Sequence, residues 1–419
     1  MKITVSYLFF ALSTIVFLNS CDKPSKKLKP GIWRGALITE SGAEIPFNFD
    51  VVDSANKYYI EIINSTDRFK VDEITHVGDS IHIQMPLFDS EINGTLIDGK
   101  IDGTWTKHLA NKDTQMTFYA QADAPWRIKE KAGAPTVDVS GRWETTFTSV
   151  NTADTTKSDT TIAVGEFVQN QSKVTGTFLT STGDYRYLEG MVEDNKLVLS
   201  TFDGSHAFLF TATINPDSTM TDGKFYSGFS SVDDFTAKRN EKAKLPDAYS
   251  LTFLKDSTKQ IAFTFPNLEK KQISLSDARF KGKVVILQML GSWCPNCMDE
   301  TAFLSNFYDK YHSKGVEVLG LAYERTKDFE KSKVNLERLK KRFNVNYDIL
   351  VTGFTNEKGE AAKSLPMLNS VMAFPTMIII DKKGKVRKIH TGFSGPGTGN
   401  HYVEFVNEFD KLIDDLLAE

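Results

Sequence analysis

From Lys283 to Glu300 the chain reads Lys-Val-Val-Ile-Leu-Gln-Met-Leu-Gly-Ser-Trp-Cys-Pro-Asn-Cys-Met-Asp-Glu, an apolar run that leads straight into a Cys-x-x-Cys. A short continuous apolar run rich in β-branched residues is the pattern of a strand buried on both faces. Pro295 suits the first position of a helix, where its missing N–H would be unpaired anyway and its φ is already helical. The stretch therefore predicts a buried strand, a tight turn, and two thiols at the head of a helix. A thiol attacks only as the thiolate, and the free N–H groups of a helix N-terminus favour an anion. Cys294 occupies that position and is the candidate attacker. Cys297 follows one turn deeper on the same side, and is the candidate for resolving the mixed disulfide that attack would form.

The sequence holds three cysteines. The third, Cys21, closes an N-terminal segment with Lys2 ahead of an apolar run from Tyr7 through Leu18, the layout of a secretory leader. Leu18-Asn19-Ser20-Cys21 resembles the lipobox of bacterial lipoproteins, which implies lipidation at Cys21 and a membrane anchor. Residues 1–21 are then the signal and 22–30 a polar tether. No cysteine is left for a structural disulfide. The expected location is the bacterial cell envelope, facing the periplasm or the exterior. A net charge of -4 gives no reason to expect nucleic acid, and nothing beyond the leader is apolar for the roughly 20 residues a membrane helix needs.

Residues 31 to about 245 alternate short β-branched runs with Gly, Asp and Asn turn signals and show no helical period. The region also repeats itself. Gly31-Ile-Trp33 is echoed by Gly141-Arg-Trp143, Phe69-Lys70 by Tyr185-Arg186, Phe88-Asp89 by Phe202-Asp203, and Asp102-Gly103 by Asp222-Gly223. Two tandem antiparallel barrels or sandwiches follow, residues 31–132 and 136–243, divided near Ala132-Gly-Ala-Pro135. Trp33, Trp105, Trp126 and Trp143 read as core more readily than as a ligand cup. Asp98-Gly99, Asp102-Gly103 and Asp222-Gly223 read as hairpin turns.

From Leu245 strands alternate with helices, the mark of an α/β domain over residues 246–419. Expected strands are 260–265, 271–275, 284–290, 315–321, 347–351, 376–380 and 386–389. Expected helices are 295–312, 327–342 and 402–417.

With Trp293-Cys-Pro-Asn-Cys297 after one strand, Glu300 three residues on, and Ala373-Phe-Pro-Thr376 before a later strand, this domain resembles the tethered thiol-disulfide oxidoreductases of the TlpA/ResA type, within the thioredoxin superfamily. The resemblance implies a thioredoxin fold and a Cys294–Cys297 redox-active disulfide. It implies a cis Phe374–Pro375 bond whose Phe374 backbone pairs with substrate, a substrate-facing Trp293, and a Glu300 that tunes thiol protonation. It further implies protein disulfide substrates and a membrane thiol protein as electron donor, with no cofactor and no metal. Two departures stand out. The buried aspartate that thioredoxins place six residues before the first cysteine is Gln288, and the dipeptide between the cysteines puts proline first.

Reduction of protein disulfides is the leading reading. A disulfide isomerase or oxidant is the alternative, as is an envelope ligand-binding or adapter protein whose β modules carry the main function. A peroxidase would place Thr three residues before Cys294, where Gly291 stands. A zinc site would need spacing that His312, His390 and His401 lack.

Overall fold

The computed structural model describes residues 27–54, 57–109, 112–150, 158–256, 260–357 and 359–419. The leader and Cys21 lie outside the described residues. Among those residues no helix is long and apolar enough to cross a membrane.

Two antiparallel β modules come first. In the first, nine strands run from Gly31–Ile38 to Asp113–Ala122, and the first strand pairs with the ninth. Only Asp67–Val71 and Glu73–Val77, at the two ends of the sheet order, leave it unclosed. In the second, strands run from Gly141–Val150 to Ser231–Arg239, and Ser158–Asn170 pairs on both sides, with Gly141–Val150 and with Lys173–Thr180, closing a barrel. The copies share local detail. Each tryptophan of the echoed motif is fully buried and donates its indole N–H to the carbonyl four residues earlier, Trp33 to Lys29 at 2.8 Å and Trp143 to Val139 at 2.8 Å. The modules pack on one another through Phe47 and Phe202, whose rings lie 4.4 Å apart, and through buried Arg127, which donates to the carbonyls of Pro46 and Ser200.

One turn expectation holds and two do not. Asp98 and Gly99 both have positive φ, between the strands Ser90–Ile97 and Lys100–His108. Asp102-Gly103 and Asp222-Gly223 instead lie inside strands. A Cβ on Gly103 would stand 2.2 Å from the Asn93 carbonyl oxygen, and one on Gly223 would stand 2.2 Å from that of Phe235. These glycines serve close backbone approach between paired strands, the other common reason for glycine in a strand.

The C-terminal domain is built on β1 (Val284–Leu290), α1 (Pro295–Tyr311), β2 (Val316–Ala322), α2 (Phe329–Phe343), β3 (Asp348–Val351), β4 (Thr376–Ile380), β5 (Val386–Thr391) and α3 (Asn400–Ala418). The sheet order is β3-β2-β1-β4-β5, with β1 parallel to β2, β2 parallel to β3, and β4 antiparallel to both β1 and β5. This is the thioredoxin fold. All seven residues of β1 are buried, because both faces are covered. Val284, Ile286 and Leu290 pack with Phe303, Phe307, Phe409 and Ile413 of α1 and α3, while Val285, Leu287 and Met289 pack with Phe280, Leu365 and Leu368 on the other side. The expected strands at 260–265 and 271–275 shrink to a two-stranded ladder, Thr264–Pro266 with Gln272–Ser274.

Candidate active site

β1 ends at Leu290, and the turn Gly291-Ser292-Trp293 delivers Cys294 as the N-cap of α1, with Pro295 at its first position. The Cys294 Sγ accepts the Cys297 backbone N–H at 3.3 Å, which is the helix terminus contacting the thiol directly. That sulfur also lies 3.5 Å from the Phe374 carbonyl oxygen, where its S–H donates. Phe374–Pro375 is cis. The structure thus brings Cys294, Cys297, Trp293, Phe374 and Pro375 into one place. Trp293 and Phe374 meet edge to face at 5.7 Å.

The two thiols differ in setting. Cys294 is 6% exposed and Cys297 fully buried, and both are free thiols. Burial pushes the Cys297 thiol well above its ordinary pKa, and the adjacent Cys294 sulfur and the Glu300 carboxylate add to that. Glu300 is itself fully buried, and neither oxygen completes a hydrogen bond among the described residues, although the Gln288 amide lies near enough to act on it. Burial raises its carboxyl to about 8, slightly opposed by the Gln288 amide. Gln288 faces α1 from β1, donating to Thr301 Oγ1 at 3.0 Å and accepting from the Tyr347 hydroxyl at 3.1 Å. Gln288 carries no carboxyl, and the buried carboxyl next to the dithiol is that of Glu300, one element away on α1.

A second buried acid, Glu324, lies just past β2. It receives the Ser292 backbone N–H at 2.8 Å and the Ser292 hydroxyl at 2.6 Å, which pins the turn before Trp293. The indole of Trp293 donates to the Tyr323 carbonyl at 2.9 Å, and the Arg325 guanidinium stacks 5.5 Å from its ring centre.

The β modules reach into this site, which the sequence reading did not anticipate. Asn296, inside the Cys-x-x-Cys, donates to the carbonyl of Asp184 in the second module at 3.1 Å and to that of Phe393 at 3.2 Å. Two residues on, Arg186 makes paired 2.9 Å bonds to both carboxylate oxygens of Asp299 on α1 and also reaches Asp203 at 3.3 Å. Burial disfavours the charge of Arg186, yet these carboxylates outweigh it and raise its pKa well above the ordinary value. The Asp184 carboxylate accepts the Gly395 N–H at 2.7 Å, and burial together with nearby Asp299 lifts its pKa to about 7.

The echoed Phe-Asp pairs have parallel positions. Phe88-Asp89 lines a cavity with Trp293 and Arg325, while Phe202-Asp203 leads to Ser205, whose hydroxyl lies 3.5 Å from the Trp293 carbonyl. The two loops touch, Ser90 Oγ donating to Gly204 O at 2.5 Å. One signal for this contact was present in the sequence. Arg186 stands where the first copy has Lys70, and Lys70 is a half-exposed residue that pairs with neighbouring Asp72 and stacks over Tyr59. Among the described residues no cluster of His, Cys, Asp and Glu could hold a metal ion.

Residues 253–404 match the Redoxin family. The thiol-disulfide oxidoreductase ResA of Bacillus thuringiensis subsp. konkukian is 32% identical over 143 residues, covering 33% of this chain and 73% of that protein. ResA of Bacillus subtilis is 28% identical over 130 residues, covering 31% of this chain and 64% of that protein. A thiol:disulfide interchange protein of known structure from Chlorobium tepidum TLS aligns at 19% identity and a TM-score of 0.27, over 38% of this chain and 94% of that one. A dithiol seated at a helix head beside a cis proline, within a domain matching ResA over most of that protein's length, places this chain in the ResA-like family of thioredoxin-fold thiol-disulfide oxidoreductases.

Proposed function

We propose that the protein is a membrane-anchored, extracytoplasmic reductase of protein disulfides, lipidated at Cys21 and recharged by a membrane thiol protein. The observation that carries the redox part is the asymmetry of the thiols, one at the helix head and its partner sealed beneath it. The Cys294 thiolate attacks one sulfur of a substrate disulfide, forming a Cys294–substrate disulfide and releasing the other sulfur as a thiolate that takes up a proton. Cys297 then loses its proton and attacks the Cys294 sulfur, closing Cys294–Cys297 and freeing the second substrate thiol. Two electrons have passed to the substrate. In this reading Glu300 accepts the Cys297 proton, since a carboxyl poised near 8 exchanges protons at working pH. Phe374 presents its carbonyl, and Trp293 its ring, to the substrate segment around the disulfide.

The reductase direction requires a dithiol whose reduced form is less stabilised than in the oxidants of this fold. A Cys297→Ser chain incubated with envelope extract should hold proteins in disulfides that dithiothreitol releases, and Cys294→Ser should hold none. Retention by both variants alike, or by neither, contradicts the proposal. Anchoring is tested separately: Cys21→Ser should move the protein from the membrane to the soluble fraction.

A further inference from the structure

Beside the dithiol lies a cavity of about 170 Å³, walled by the Pro86–Asp89 loop of the first module, the turn carrying Trp293, and α2. Its apolar lining comes from Leu87, Phe88 and Trp293, with Leu109 at the lip, 37% exposed. Lys331 and Arg338 line the other side at helical spacing on α2. Both are exposed, and neither forms an ion pair with any described residue. Arg325 completes the cationic side, stacked on Trp293 and donating to the His108 carbonyl at 3.4 Å. Two acids line the cleft beside these three cations: Asp89, and the buried Glu324, which is bonded to Ser292 and acts on Arg325, so Lys331 and Arg338 are left as the cations without a partner acid among the described residues.

We propose that this cleft is the specificity subsite for the polypeptide whose disulfide Cys294 attacks, and that it takes an acidic segment bearing one large apolar side chain. The inference rests on the reductase reading and adds a substrate class to it. A cavity near 150 Å³ lined by apolar side chains holds a benzene-sized group, so 170 Å³ accommodates one aromatic or branched aliphatic side chain. Unpaired cations at the rim favour carboxylates flanking that side chain and steer them inward at low salt. Trp293 joins the two regions, since it lines the cleft and is the residue before the attacking cysteine. The chain as a whole carries a net charge of -4, so this positive face is a local feature. One wall of the cleft, Pro86–Asp89 with His108 and Leu109, belongs to the first β module, which gives that module a role in choosing substrate.

Binding can be separated from chemistry with the full chain carrying Cys294→Ser and Cys297→Ser. Two fluorescent peptides with serine in place of the target cysteine, one with Asp and Glu beside a Phe, the other with Asn and Gln there, are compared by anisotropy. The acidic peptide should bind at least tenfold more tightly at low salt, and 0.5 M salt should erase most of the difference. Adding Lys331→Glu and Arg338→Glu should reverse the preference toward a peptide with Lys beside Phe, which also shows that the variant remains folded. Equal affinity for acidic and neutral peptides, binding of neither, or a preference that survives the reversal overturns the proposal. If the acidic preference is seen but the unsubstituted chain reduces no disulfide version of either peptide, the reductase reading fails and the subsite stands.

Discussion

Glu300 is a carboxyl sealed in the protein beside the dithiol, with neither oxygen completing a hydrogen bond among the described residues. Its folded pKa of about 8 lies above the ordinary 4.5. Between those values the folded chain holds a proton that the unfolded chain has released, so stability falls as pH rises through that window, by at most about 1.4 kcal/mol per pH unit. Asp184, lifted to about 7, adds to the same slope. Glu300→Gln should therefore flatten the fall in denaturant-measured stability between pH 5 and 8. It should also slow the resolving step at neutral pH, read as slower release of a mixed disulfide in stopped-flow. A variant with the parent slope would mean that Glu300 titrates like an exposed acid. The placement of Glu300 near Cys297 was legible three residues along the motif. Its complete burial was not, because that depends on side chains such as Gln288 and Tyr347 brought over it from elsewhere in the chain.

At the scale of elements, the parts set by local pattern were readable and those set by long-range closure were not. The buried strand, the start of α1 at Pro295 and the three long helices follow from periodicity and proline placement, so their ends agree with the structure to within about two residues. The short helices Ala248–Leu251 and Glu360–Ser364 span too little sequence to show a period. Asp102-Gly103 carries a turn signature but lies in a strand, since the same dipeptide also answers a steric demand from the opposing strand. Gly103→Ala should consequently destabilise the chain by about 1–3 kcal/mol in urea unfolding. No effect would mean that the strands separate easily there. Arg186 is the clearest case of information that was absent locally, because its partner Asp299 is remote in sequence. Arg186→Ala leaves buried Asp203 and partly buried Asp299 without it and should cost about 3–5 kcal/mol in the same measurement.

Across the whole molecule, the thioredoxin-fold domain is held by the β modules at the end that does chemistry. Asn296, Asp299 and Trp293 each contact them, and Cys294 retains 6% exposure. Contacts this close to Cys294 predict that the modules limit its access as well as fix the helix that carries it. Arg186→Ala should raise the rate of Cys294 alkylation by iodoacetamide several-fold at fixed pH, while an unchanged rate would mean that the second module does not limit approach. Tandem repeats and a redox domain were visible in the sequence as separate units. Their joining around the Cys-x-x-Cys was not, because it is written in single residues scattered over three regions.

The central claim is that Cys294 and Cys297 form a reducing pair, and its most direct test is the reduction potential of the full chain without residues 1–21, equilibrated in redox buffers with free thiols trapped. A reducing pair should give a value near or below the roughly -270 mV of thioredoxin. A value near the roughly -120 mV of a strong oxidant would mean that the reduced form is the stabilised one, and would contradict it.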